Sequence, residues 1–92
     1  MKIIYTPWFK KAIKRLQVNQ KNDLDNAIAF LIEEPLIGEL KVGDLAGTRV
    51  HKFKMNNQLT LLAYIYCDEQ IILTLLDLGS HQNFYRDLKK KL

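Results

Sequence analysis

Between Thr48 and Leu78 the chain passes through three segments rich in β-branched, aromatic and aliphatic residues: Thr48 to Met55, Leu59 to Tyr66 and Gln70 to Leu78. Only Asn56-Asn57-Gln58 and Cys67-Asp68-Glu69 separate them. A parallel crossover needs about a dozen residues or more, so linkers this short join antiparallel neighbours. The stretch therefore folds as a β-meander, and the rest of the chain must cover it. A chain of 92 residues has room for one such core, and residues 1–92 read as a single domain.

Upstream, Lys2 to Tyr5 is short, apolar and β-prone, and reads as a strand. Thr6-Pro7 then opens a helix: the threonine hydroxyl can cap free N–H groups, and proline suits the first helical position. Trp8, Phe9, Ala12, Ile13 and Leu16 recur at helical spacing, with Lys10, Lys11, Lys14 and Arg15 on the complementary face. Asn19 to Asp23 reads as a polar turn. A second helix follows on a stripe of Leu24, Ala27, Ile28 and Leu31, and Glu34-Pro35 ends it. Residues 35–47 read as a loop with a short strand around Leu40 to Val42. Gly79-Ser80 stops the last strand, and His81 to Leu92 reads as a short helix anchored by Phe84 and Leu88. The expected class is α+β, in the order β-α-α-β-β-β(-β)-α, with an N-terminal helical hairpin on an antiparallel-rich twisted sheet and the helices on one face.

Hydrophobic residues make up 48% of the chain, enough for a packed core without disulfides or metal. The lone cysteine, Cys67, lies in an apolar run and reads as a buried, reduced thiol. Ile3 to Tyr5 is too short for the apolar core of a secretion signal, and no stretch approaches the length of a membrane span. A cytoplasmic protein without a membrane partner is expected. The net charge of +4 is clustered: residues 1–19 hold five cations and no acid, and the tail from Arg86 to Lys91 is basic again. Clustered cations favour a polyanion such as RNA, or an acidic protein partner.

Two constellations carry candidate chemistry. In Arg49-Val50-His51-Lys52-Phe53-Lys54-Met55, strand alternation puts Lys52 and Lys54 on one face, with Cα atoms about 6.6 Å apart. His51, Phe53 and Met55 point to the other face, toward the core. Two adjacent ammonium groups can grip phosphate oxygens and stabilise charge that develops during phosphodiester cleavage. Each also lowers the proton affinity of the other, which suits a lysine to proton transfer near neutral pH. Equally, the pattern describes two solvated lysines on an exposed strand. The second constellation is Gly79-Ser80-His81-Gln82-Asn83-Phe84-Tyr85-Arg86, where a strand gives way to a helix. His81 can act as acid or base near neutral pH, Tyr85 can stack on a base, and Arg86 can bind phosphate. The bland alternative is a helix start anchored by two aromatics. Cys67, His51 and His81 show no metal-ligand spacing, and no cofactor is expected. No glycine-rich phosphate loop or nucleophile elbow is present.

With these elements in this order, the chain resembles the RelE/ParE superfamily of bacterial toxins. The likeness is carried by the Lys52-x-Lys54 strand after Gly47-x-Arg49, by Leu61-Leu62-Ala63-Tyr64, and by the strand ending in Gly79 before His81. The resemblance implies a type II toxin of the RelE- and YafQ-like branch, a metal-independent ribosome-dependent endoribonuclease. Such toxins enter the ribosomal A site, where the mRNA 2′-hydroxyl attacks the adjacent phosphate. By this likeness Lys52, Lys54, His81 and Tyr85 form the catalytic set, and Lys10, Lys11, Lys14, Arg15, Arg49 and Arg86 contact nucleic acid. It also implies a cognate antitoxin that holds the toxin inactive and through which DNA is bound only indirectly. RelE itself carries arginines where this chain has Leu61 and His81, and the YafQ-like pattern of a histidine, an Asp-Trp pair and an arginine is incomplete here. ParE members keep the fold, lack the nuclease set and poison DNA gyrase, which is the alternative function; a binding module without toxicity is a third reading.

Overall fold

The computed structural model describes residues 1–80 and 83–92; His81 and Gln82 lie outside the described residues. Strand β1 (Lys2–Tyr5) leads through Thr6 into α1 (Pro7–Lys14), then α2 (Val18–Glu33), a two-residue strand β2 (Glu39–Leu40) and a 3-10 turn at Gly43–Leu45. The meander follows as β3 (Arg49–Met55), β4 (Gln58–Cys67) and β5 (Ile72–Ser80), and α3 (Phe84–Lys91) closes the chain. The five strands make one sheet in the order β1-β5-β4-β3-β2. All pairings are antiparallel except β1 with β5. The expected α+β class is the one observed.

Local chemistry accounts for the elements. The Thr6 hydroxyl accepts the Phe9 amide at 3.2 Å and lies 2.9 Å from the carbonyls of both Leu75 and Leu76, so it caps α1 and ties it to β5. The β3–β4 hairpin turns on Asn56 and Asn57 alone, with φ of 53° and 66°. Two consecutive positive φ values define the tight turn that matches strand twist, and asparagine tolerates them better than most residues. One register irregularity bends β5: Ala63 faces Asp77 but Tyr64 faces Leu75, which leaves Leu76 as the extra residue of a bulge. Beyond β1 the outer edge of β5 is partly satisfied by side chains. Thr6 takes the Leu76 carbonyl, and the Asp77 carboxylate takes the Leu78 amide at 2.9 Å. Such bonds blunt an open edge against stray strand pairing.

Several boundaries differ from expectation. Asn19 to Asp23 is not a turn but the start of α2. Gln17 and Gln20 form a capping box that begins the helix at Val18, and α1 has already ended at Lys14. Asp23 accepts the Asn56 amide at 2.7 Å and so fastens α2 to the hairpin. The strand placed at Leu40 to Val42 is Glu39–Leu40. Cys67, at the end of β4, is only half-buried. Trp8 leaves the apolar stripe of α1 and stays 37% exposed, whereas Phe9 is fully buried.

The sheet is also covered on both faces rather than one. The α1–α2 hairpin buries Phe9, Leu24, Ile28 and Leu31 against Met55, Leu62, Tyr64, Leu73 and Leu75. On the opposite face α3 and the 3-10 turn bury Phe84, Leu88 and Leu45 on Val50, Leu61, Ala63 and Leu76. The helix stripe of Phe84 and Leu88 seeks any apolar surface, and alternation along β3 and β4 offers a second one.

Candidate nucleic-acid interface

Alternation along β3 sends Val50, Lys52 and Lys54 to the face that carries α3, while His51, Phe53 and Met55 turn toward α1 and α2. Val50 lies beneath the second core, but Lys52 and Lys54 lie beyond its cover and are exposed. Lys52 pairs with Leu61, which pairs with Gly79; Lys54 pairs with Leu59. The two ammonium groups therefore rise together from an uncovered stretch of sheet. Leu61, where the resemblance to RelE would put an arginine, is 2% exposed and belongs to the core under α3.

Tyr85 enters from the first turn of α3. Its ring meets Phe84 edge-on, with centroids 5.5 Å apart and planes at 83°. The Lys41 ammonium lies 4.9 Å from the Tyr85 ring centroid, a cation–π approach. Lys41 also donates to the Glu39 carboxylate at 3.0 Å. That hydrogen bond and the Lys41 charge hold Glu39 below its ordinary carboxylate pKa, with a further contribution from Lys52. In return the Glu39 carboxylate holds the Lys41 proton above its ordinary affinity; burial opposes it, and Tyr85 adds a lesser upward contribution. The arrangement places an ionised carboxylate, two lysines and a phenol on one face. Glu39, Lys41 and Tyr85 line a cleft of about 610 Å³ together with Asp44 and Lys89.

Glu39 and Lys41 were not singled out in the sequence. Their signal was the polar member of the alternation Glu39-Leu40-Lys41-Val42, but only pairing could say what they would face. Glu39 lies opposite Val50, and the Lys41 amide reaches the Thr48 carbonyl at 2.8 Å. A lock behind the sheet sets that register. The Tyr64 hydroxyl accepts the Gly38 amide at 2.9 Å and donates to the Pro35 carbonyl at 2.8 Å. A Cβ on Gly38 would come within 2.6 Å of that hydroxyl, so the approach requires glycine. Burial pushes the Tyr64 phenol up, with the Gly38 amide and Arg49 opposing.

Arg49, expected at the nucleic-acid surface, contributes to the same lock. Its guanidinium donates to the carbonyls of Leu36 at 3.1 Å and Gly38 at 2.9 Å. Those bonds hold the loop that carries β2. Lys10, Lys11, Lys14 and Arg15 are exposed along α1, and Lys11 and Arg15 border a separate cleft beside β5. Arg86 is exposed, with its Nε 3.9 Å from Asp87. His81 lies outside the described residues, so its placement beside Lys52 and Tyr85 is not part of this geometry. Among the described residues no group of three or more His, Cys, Asp or Glu side chains is placed to hold a metal ion, and no helix is long and apolar enough to cross a membrane.

The architecture recurs in solved toxins. The free state of the E. coli toxin RelE, as a double arginine-to-alanine mutant, superposes with a TM-score of 0.75 at 17% identity, covering 99% of this chain and 96% of that one. RelE in the intact E. coli RelBE toxin–antitoxin complex gives 0.70 at 17% identity, covering 88% and 96%. The RelE mutant in complex with an antitoxin RelBc peptide gives 0.68 at 17% identity, covering 94% and 90%. The protein thus has the RelE fold. No curated protein matches the sequence. The model of the ParE-like toxins of type II bacterial toxin–antitoxin systems matches residues 3–89. The chain belongs to that family.

Proposed function

We propose that this toxin is a metal-independent, ribosome-dependent endoribonuclease that cuts mRNA in the A site, and that a cognate antitoxin restrains it in the cytoplasm. The observation that carries this reading is the pair of exposed lysines, Lys52 and Lys54, rising from one sheet face beside the Glu39–Lys41–Tyr85 cluster. The mRNA 2′-oxygen attacks the adjacent phosphorus, the bond from phosphorus to the 5′-oxygen breaks, and a 2′,3′-cyclic phosphate and a free 5′-hydroxyl result. One group must take the 2′-proton and another must protonate the leaving oxygen. Lys52 and Lys54 serve as base and as charge stabiliser for the phosphorane. His81 supplies the proton to the leaving oxygen, and Tyr85 stacks on a base. Lys10, Lys14 and Arg86 extend the basic surface that meets RNA. DNA is met only through the antitoxin.

Mapping mRNA 5′ ends in a translation extract tests the reading. New ends should appear with the wild-type chain and vanish with Lys52→Ala combined with Lys54→Ala. Unaltered cutting by the double variant would remove the catalytic assignment.

The buried Leu61 favours a second reading, a gyrase-directed toxin of ParE type, because it stands where the resemblance to RelE would put an arginine. Gyrase-dependent DNA breaks in expressing cells, with mRNA intact, would decide for it.

A further inference from the structure

A second cleft, of about 380 Å³, opens between α1 and α3 above the free end of β5. Trp8, Lys11 and Arg15 form its α1 wall. Their spacing of i, i+3 and i+7 sets them on a single helical stripe. Gly79 and Ser80 form the floor, with the Ser80 residue exposed. Two carboxylates also border the cleft, Asp77 buried and Asp87 exposed. Asp77 is bonded by Lys91 at 2.5 Å, and Asp87 lies 3.9 Å from the Arg86 guanidinium. Among the described residues neither Lys11 nor Arg15 has a carboxylate within ion-pair distance. Trp8, the single tryptophan of the chain, keeps over a third of its surface open beside them.

A flat exposed indole next to two unpaired cations matches single-stranded nucleic acid, which offers a π-face and a phosphate at each step. Lys11 and Arg15 stand about 6 Å apart along the helix axis, close enough for adjoining phosphates of one strand. Gly79 lies two strands from Lys52 in the same row, about 10 Å away, with Leu61 buried under α3 between them and Phe84 seated on Gly79. An acidic peptide would use the cations but has no need of the indole.

We propose that this cleft is a subsite for single-stranded RNA flanking the segment held by Lys52 and Lys54. One base stacks on Trp8, and Lys11 and Arg15 hold its neighbouring phosphates. The choice of RNA rests on the nuclease reading above.

The tryptophan is its own reporter. Wild-type chain is titrated at low salt with a 2′-O-methyl oligoribonucleotide, which lacks the attacking hydroxyl and stays whole. Indole fluorescence should quench saturably. Lys11→Gln with Arg15→Gln should weaken binding and flatten its log–log salt dependence by about 1.4, two phosphate contacts of a single strand. Trp8→Leu should weaken binding roughly tenfold, read by anisotropy of a labelled oligonucleotide, with Trp8→Phe intermediate. Circular dichroism confirms that each variant is folded. Unchanged fluorescence at saturation, or an unchanged salt slope in the double variant, would overturn the subsite. So would a polyglutamate peptide that quenches the indole and displaces the oligonucleotide from it. Cleavage in the extract with an unmoved indole sinks the subsite alone; saturable quenching with mRNA left intact sinks the nuclease reading and leaves the subsite standing.

Discussion

His51 lies between two aromatic rings, stacked on Phe53 at 5.9 Å with planes 6° apart and tilted against Phe30 at 5.7 Å. Burial there lowers its pKa from the ordinary 6.5. The unfolded chain therefore takes up this proton first as the medium acidifies. Stability is full above about pH 6.5 and declines as pH falls through the lowered folded value. Thermal melts at pH 7.5 and pH 5 should show that decline, and His51→Phe should lessen it. An equal decline in wild type and variant would refute the assignment. Tyr64 supports a second test at this scale. Tyr64→Phe removes the acceptor of the buried Gly38 amide and the donor to the half-buried Pro35 carbonyl. The cost should be roughly 1–3 kcal/mol, and the melting temperature should fall by on the order of 10 °C. A change within experimental scatter would mean that water replaces both bonds.

At the scale of elements, α3 is the piece with least means of its own. Eight residues cannot hold a helix in water without docking. Its attachments are Phe84 seated on Gly79, where a Cβ would come 3.1 Å from the ring, Leu88 in the second core, and the Lys91–Asp77 pair. Asp77 is 7% exposed, so its carboxylate has little water to fall back on when the partner is lost. Lys91→Met should therefore fray the last turn of α3, seen as faster amide exchange there, and lower stability by about 1–3 kcal/mol. Asp77→Asn with Lys91→Met should recover part of that loss, since no buried charge then stands alone. No recovery would show that the pair acts through packing. This element also marks where sequence reading stops. The strands of the meander and the threonine–proline start of α1 were legible because alternation and capping are local signals. The face taken by α3 was not, since Phe84 and Leu88 announce a stripe without naming its partner. The bulge at Leu76 puts two successive residues on one face, which no alternation rule shows. Lys52 and Lys54 could be given a shared face from their spacing alone. Glu39 and Lys41 could not be joined to them, because their place depends on a pairing fixed by Tyr64 and Arg49 from elsewhere in the chain.

For the whole molecule, a sheet covered on both faces has two cores of unequal depth. The larger, under α1 and α2, holds Phe9, Leu24, Leu31, Tyr64, Leu73 and Leu75, each 2% exposed or less. The smaller is closed mainly by α3. They share the backbone of β4, whose Leu62 and Tyr64 serve the first and Leu61 and Ala63 the second. Loss of the first core removes both helices and the support of the sheet, so it should coincide with global unfolding. Loss of the second leaves every strand paired and should cost only the docking of α3, a local opening of lower free energy. Two truncations of the same size separate the cases. Leu31→Ala should lower global stability by about 2–5 kcal/mol, with β4 and β5 amides exchanging faster in step. Leu88→Ala removes as much side chain from a site no more exposed, yet its effect on global stability is capped by the free energy of undocking α3. Its exchange should accelerate in α3 while the β4 amides keep their protection. If both variants instead sped exchange equally along β4, the two cores would be one cooperative unit, and the ground that Lys52, Lys54 and Tyr85 share would depend on α3 staying down.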